Sequence, residues 1–373
     1  MRAALLALAL LALAAAARAG AEPARPWLWQ CEQIGLQVAK DRCYERMLLQ
    51  DIDRSGDPAR ELPRIDRRAK AAGTSLYANC HLYMHTVGRA WAREHHLTLA
   101  RLQSVVPQSN DPGCSAGFGM GLVMGLGPQI IETGGRSALR TCERLPTRMG
   151  QFTCVHSLGH ALMRGYHESL YLAVDACRKL GASAAPDCAQ GAFHDYWIAL
   201  RGADESTVPL QAVSSPRRLC AEADFRRYAV QCWYRYWVEK VPGPYVQSAA
   251  DVLRLCRGLA GGMRVGCIAG AAKDVVESPG AQARICTHMT ARDALACLRG
   301  VGNQAFAGKP AQEHALFAVC RRMPRGAVAG CAAWFGRTFN VLENGRFRCP
   351  VGTLHAACVT GTRQWRQPLV TFA

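Results

Sequence analysis

Apolar residues recur along most of the chain at intervals of three and four. In SLYLAVDACRKL, for example, Leu170, Ala173, Val174 and Cys177 fall on one helical face. Runs that alternate apolar and polar residues, as half-buried strands do, are few, so the pattern predicts an all-α fold. Short breaks punctuate the helical stretches. One is ASAAPD, where Pro186 and the candidate N-cap Asp187 mark a helix restart.

The eighteen cysteines give these segments a period. Cys31 and Cys43 enclose 11 residues, as do Cys142 and Cys154, and Cys220 and Cys232. Cys177 and Cys188 enclose 10, as do Cys256 and Cys267, Cys286 and Cys297, and Cys320 and Cys331. Cys349 and Cys358 enclose 8. Cys80 and Cys114 then pair by elimination, giving nine local disulfides. The second cysteine of several pairs begins a similar phrase, as in CSAGFGMG, CAQGAFHD, CIAGAAKD and CLRGVGNQ. A glycine three residues after the cysteine allows close approach to a neighbouring helix. Repetition every 30 to 40 residues or so is the mark of stacked helical hairpins, which cannot bury enough apolar surface singly. The expected fold is therefore a curved α-solenoid-like array of disulfide-stapled helical-hairpin repeats. In architecture it resembles the stapled α-hairpins of Sel1-like repeat proteins. Their cysteine spacing and Leu-Gly/Tyr/Gly signature differ, so no residue's role is carried over.

Domain organisation follows from composition. Residues 1–21 pair Arg2 with an apolar run and small-residue cleavage options, as a secretory signal peptide does. Residues 22–53 are expected to form an N-terminal disulfide hairpin. The charged, proline-bearing stretch 54–73 reads as a linker, 74–359 as the Cys-rich repeat domain and 360–373 as a C-terminal tail. A signal peptide and an even cysteine count agree on an oxidising location, periplasmic or secreted. CSAGFGMGLVMGLGPQII is uncharged, but Pro128, Gln129 and its glycines argue for a buried repeat helix over a membrane span.

The formal net charge of +17 invites a polyanion partner. Of the 45 basic residues only six are lysine, and they form no block, so nucleic acid is not the expected ligand. No C-x-x-C occurs, which excludes zinc ribbons, thioredoxin-type sites and covalent haem attachment. There is likewise no nucleotide or flavin signal. GCSAG, Gly113–Gly117, matches a nucleophile elbow in letters but lacks the preceding strand.

Candidate chemistry lies in the histidines. His81 and His85 are spaced to share a helix face, as are His156 and His160, and two such imidazoles can hold one ion. Six residues after the repeat cysteine stand Met120, His160 and His194 in successive repeats. Val238, Lys273, Asn303 and Arg337 occupy that place later. In-register stacking would line these positions along one surface. The metal ligands read from the sequence are therefore His81, His85, His156, His160 and His194, with Asp195, Glu168 and His167 nearby. Copper or zinc is the expected ion. The alternative is a metal-free scaffold that binds a protein or peptide through Trp233, Tyr234, Arg235, Tyr236 and Trp237, residue types common at binding hot spots. A third reading is an enzyme using the histidine set.

Overall fold

The computed structural model describes residues 27–72, 75–107, 113–133, 135–199, 215–240, 246–273, 279–305 and 313–366. The expected signal peptide and the last residues of the expected tail lie outside them. The regular structure of the described residues is all helical, without strands. Three helices open the fold: α1 (Trp29–Glu32), α2 (Gln37–Ser55) and α3 (Pro58–Ala72). Then come α4 (Ser75–Glu94), α5 (Leu102–Val105), α6 (Cys114–Gly125), α7 (Gly127–Glu132), α8 (Arg136–Glu143) and α9 (Arg148–Gly165). Stapled pairs follow as α10 (Leu170–Arg178) with α11 (Ala185–Ala199), and α12 (Pro216–Ala221) with α13 (Ala229–Lys240). The last are α14 (Ala249–Leu255) with α15 (Gly261–Lys273), α16 (Pro279–Cys286) with α17 (Ala291–Ala305), α18 (Glu313–Cys320) with α19 (Val328–Leu342), and finally α20 (His355–Arg363).

All nine disulfides form between the partners expected from spacing. Cys31 is bonded to Cys43, Cys80 to Cys114, Cys142 to Cys154, Cys177 to Cys188 and Cys220 to Cys232. Cys256 is bonded to Cys267, Cys286 to Cys297, Cys320 to Cys331 and Cys349 to Cys358. In the chain-entropy account, each crosslink over a loop of this size stabilises the fold by about 3 kcal/mol. Apart from Cys114, which heads α6, the second cysteine lies inside its helix. Cys154 is the seventh residue of α9 and Cys188 the fourth of α11, while Cys232 and Cys358 are each the fourth of α13 and α20. Cys297 is the seventh of α17, and Cys43 the seventh of α2. Asp187 accordingly sits in the first turn of α11, not at its N-cap.

The longer second helices of successive repeats stack on one another, α4 on α6, α6 on α9, and so on through α19 and α20. The shorter first helices pack against their own second helices. Glycine at the fourth position of C-x-x-G makes this stacking close. A methyl on Gly117 would stand 2.2 Å from the carbonyl oxygen of His81, and one on Gly191 would stand 1.9 Å from that of His156. The glycine ladder of α6 is thus a helix-crossing surface within the protein. Among the described residues no helix is long and apolar enough to cross a membrane.

The array does not run out as an open arc. Helix α19 returns to α9, where Arg148 donates its backbone N–H to Asn344 Oδ1 at 3.0 Å. Ala116, Met149 and Val341 close a small apolar cluster at the same junction, and the Arg148 guanidinium lies 4.6 Å over the Trp365 ring. Repeats nearly two hundred residues apart are thereby joined.

Two expectations are corrected. Within the stretch 54–73, Pro58–Ala72 is a helix and packs against its neighbours. Asp57 Oδ1 accepts from Arg60 N, Pro58 stands in the first turn, and Leu62, Ile65 and Ala69 are buried on one face while the arginines point outward. The aromatic cluster of α13 is also not an exposed anchor. Trp233, Tyr234 and Trp237 are buried, and Arg235 and Tyr236 are only partly exposed. Trp233 belongs to the apolar core on the N-terminal side and Tyr234 and Trp237 to the one on the C-terminal side. A helix packed between two cores needs apolar surface all round, which explains the aromatic run.

Candidate metal centre

Helix α9 supplies two of the candidate ligands. Thr147 caps its start by accepting from Gly150 N at 3.0 Å. From Thr153 to Met163 nearly every residue is buried, so the apolar stripe widens to the whole circumference. Thr153 and Ser157 satisfy their hydroxyls within the helix by donating to carbonyls four residues back. His156 and His160 therefore face the interior by the packing of the helix as a whole.

Helix α11 brings the third. It crosses α9 where Gly159 faces Gly191, each glycine lying almost against the other helix's backbone. Because the backbones touch there, the nearby side chains converge. His156, His160 and His194 are 4%, 1% and 8% exposed, and their candidate ligand nitrogens all lie within 4.8 Å of one another. His156 Nε2 and His160 Nε2 are 3.2 Å apart. Two nitrogens bound tetrahedrally to one zinc ion at 2.0–2.1 Å would be separated by roughly 3.3 Å.

The other expected pair lies alongside. The His81 and His85 rings are 4.8 Å apart, and His85 is 6.0 Å from His160, centroid to centroid. All five histidines thus belong to one run of imidazoles, in which His194 completes the α9 pair more closely than the α4 pair does. Of the other candidates, Asp195 joins the cluster, whereas His167 is exposed and stands with Glu168 in a left-handed turn after α9.

Hydrogen bonding fixes two of the rings. Asp195 is 3% exposed, and its Oδ1 lies 3.0 Å from His160 Nδ1 and 3.5 Å from Arg164 Nη2. Burial pushes the Asp195 carboxyl up, but the His160 hydrogen bond and the Arg164 charge outweigh it and hold the group below its ordinary value. A carboxylate only accepts, so His160 Nδ1 carries a proton and its Nε2 is the atom left facing His156. Arg235 Nη2 stands 3.4 Å from His156 Nε2. A guanidinium only donates, so His156 presents a lone pair there. The two Nε2 atoms meet across 3.2 Å, an arrangement that a proton or a metal cation between them makes attractive. His156 Nδ1 and His85 Nε2 are buried without a hydrogen bond.

The surroundings keep these rings in the ligand form. Burial lowers the His156 pKa well below the usual imidazole value, and the Arg235 charge lowers it further. His194 is lowered by burial, then by Arg235, His160 and Lys273, and His85 by burial and His81. Neutral imidazole is what a transition metal binds. No thiol competes, since every cysteine is in a disulfide.

The nucleophile-elbow letters fail structurally as well. Ser115 is buried at the start of α6, where its N–H and hydroxyl both donate to Asp66. Sequence reasoning named Asp195 only as a neighbour and Arg235 as part of an aromatic surface, and it overlooked Arg164. Their roles depend on which helices cross, and nothing in the local pattern of α13 points towards α9.

Comparison of the chain with protein-family models, with curated proteins and with solved structures gives no match.

Proposed function

We propose that the protein is an exported, metal-binding helical repeat protein that holds a copper or zinc ion through His156, His160 and His194. The observation that carries this reading is the pair of facing Nε2 atoms, 3.2 Å apart, with His160 held through Nδ1 by Asp195 and His156 Nε2 accepting from Arg235. His194 adds a third nitrogen, and Asp195 acts as the carboxylate that orients a ligating imidazole and raises its basicity. A proton shared between the two rings would also satisfy them. The metal is favoured because a third imidazole converges on the same point and the protonated forms of His156 and His194 are disfavoured by burial. Imidazole ligands without thiolate suit copper and zinc. Nine disulfides fit folding in an oxidising compartment, periplasmic or extracellular.

The reading is tested by the metal content of oxidised mature protein purified from an exporting host without chelators. One equivalent of copper or zinc is expected, and it should be lost in His156→Ala/His160→Ala/His194→Ala protein that keeps its helical spectrum and all nine disulfides. A native protein that takes up neither ion when both are offered would refute it.

A further inference from the structure

Beyond the histidines, the same register carries a cation in two of the four later repeats, with Val238 and Asn303 in the others. Lys273 and Arg337 stand six residues after Cys267 and Cys331, the register that His160 and His194 hold after Cys154 and Cys188. Arg337 is 4% exposed, and both its guanidinium and that of Arg299 lie over the ring of Trp334, at 5.3 and 5.8 Å. Arg235 reaches the imidazoles, with Nη2 at 3.4 Å from His156 Nε2. This is an unusual setting for a metal cation.

The conflict is sharpest at His156. Its Nε2 has one lone pair, which cannot serve Arg235 and a metal ion at once. When the ion binds, the Arg235 donor is displaced from that nitrogen but stays within a few ångströms of the coordination sphere, held by a side chain that also packs over Tyr234 at 5.5 Å. Three imidazoles leave a tetrahedral ion one open position. A ligand in that position that is anionic and accepts hydrogen bonds would complete the ion's shell, receive the displaced donor and offset the surrounding positive charge. A guanidinium fork matches an oxyanion for this purpose.

Resting on the metal reading above, we infer that the centre takes its metal together with a small oxyanion, a carbonate, phosphate or carboxylate group, which binds the ion at the fourth position and is anchored by Arg235. Metal and anion then bind synergistically, each raising the affinity for the other. No bond is made or broken beyond coordination.

The experiment is competition of metal-free, oxidised protein against a fluorescent zinc chelator, in chloride buffer and again with millimolar sodium bicarbonate, phosphate or acetate. At least one oxyanion should raise zinc affinity about tenfold over chloride, and the three arms separate the sources. Arg235→Gln should lose the oxyanion effect, read as the ratio of its own zinc affinities with and without oxyanion. Arg235→Lys, which retains the charge without the fork, should keep part of that effect, and it guards against a folding defect in the glutamine variant. Zinc binding that is indifferent to all three anions in the native protein would overturn the anion partner and leave the metal centre standing. An oxyanion effect that survives intact in Arg235→Gln would overturn the role of Arg235. No zinc binding in any buffer would overturn the metal centre and this inference with it.

Discussion

Replacing Gly191 with alanine tests whether helix contact is what assembles the histidines. The added methyl would lie 1.9 Å from the backbone oxygen of His156, where real contacts stay above 3.0 Å, so α9 and α11 must part by about 1.1 Å. The oxygen belongs to a buried helix interior and cannot swing aside as a side chain would. Overpacking of this kind costs roughly 1–3 kcal/mol, and the better helix propensity of alanine returns up to about 1. A net loss of about 1 kcal/mol is expected, read from the denaturant midpoint of metal-free protein. The same movement carries His194, three residues further along, away from His156 and His160. Metal–nitrogen distances tolerate only about ±0.2 Å, so zinc affinity should fall at least about tenfold. Gly361→Ala separates the two effects. Its methyl would stand 1.8 Å from the Ala333 oxygen, at the crossing of α19 and α20, far along the chain from the histidines. It should lose similar stability and bind zinc normally. Gly35→Ala, with nothing within 4 Å, should change neither. Equal weakening of zinc binding by Gly191→Ala and Gly361→Ala, or native stability in Gly191→Ala, would refute the reasoning.

Asp195→Asn removes the charge that orients His160 and should lower zinc affinity about 10- to 100-fold with little change in the helical spectrum, measured by the same chelator competition. Breaking one staple with Cys177→Ala/Cys188→Ala should cost about 3 kcal/mol in denaturant unfolding, and an unchanged midpoint would contradict the entropic account of the crosslinks. Metal-free protein should lose stability as the pH falls below about 6.5, because unfolded His156 and His194 take up protons that their depressed native pKa values refuse. Stability from these groups is complete above that pH and declines below it by up to about 1.4 kcal/mol per pH unit for each ring. A midpoint that is flat between pH 7.5 and 5 would show that the rings are protonated in the native state or in contact with water.

Much of this protein was written in local sequence. Each disulfide but the one from Cys80 to Cys114 closes a loop of a dozen residues or fewer, so pairing nearest neighbours recovered the whole set, and with it the hairpins. The glycine three residues after the cysteine marked the close crossings because a missing side chain is visible in sequence wherever it is needed. Charge and proline misled in Arg54–Gly73, where Asp57-Pro58 was a helix start and Leu62, Ile65 and Ala69 its buried stripe. The i, i+4 spacing placed His156 beside His160, since one helical turn suffices for that. The register after the repeat cysteine named His194 too, but only the tertiary structure decided that it, rather than His81 or His85, completes the α9 pair, that Arg235 turns from an aromatic surface to His156, and that α19 comes back to α9. Those contacts span from about 35 to nearly 200 residues. They depend on the accumulated rotation of one repeat on the next, which small differences in side-chain volume at every crossing set together and no single segment encodes.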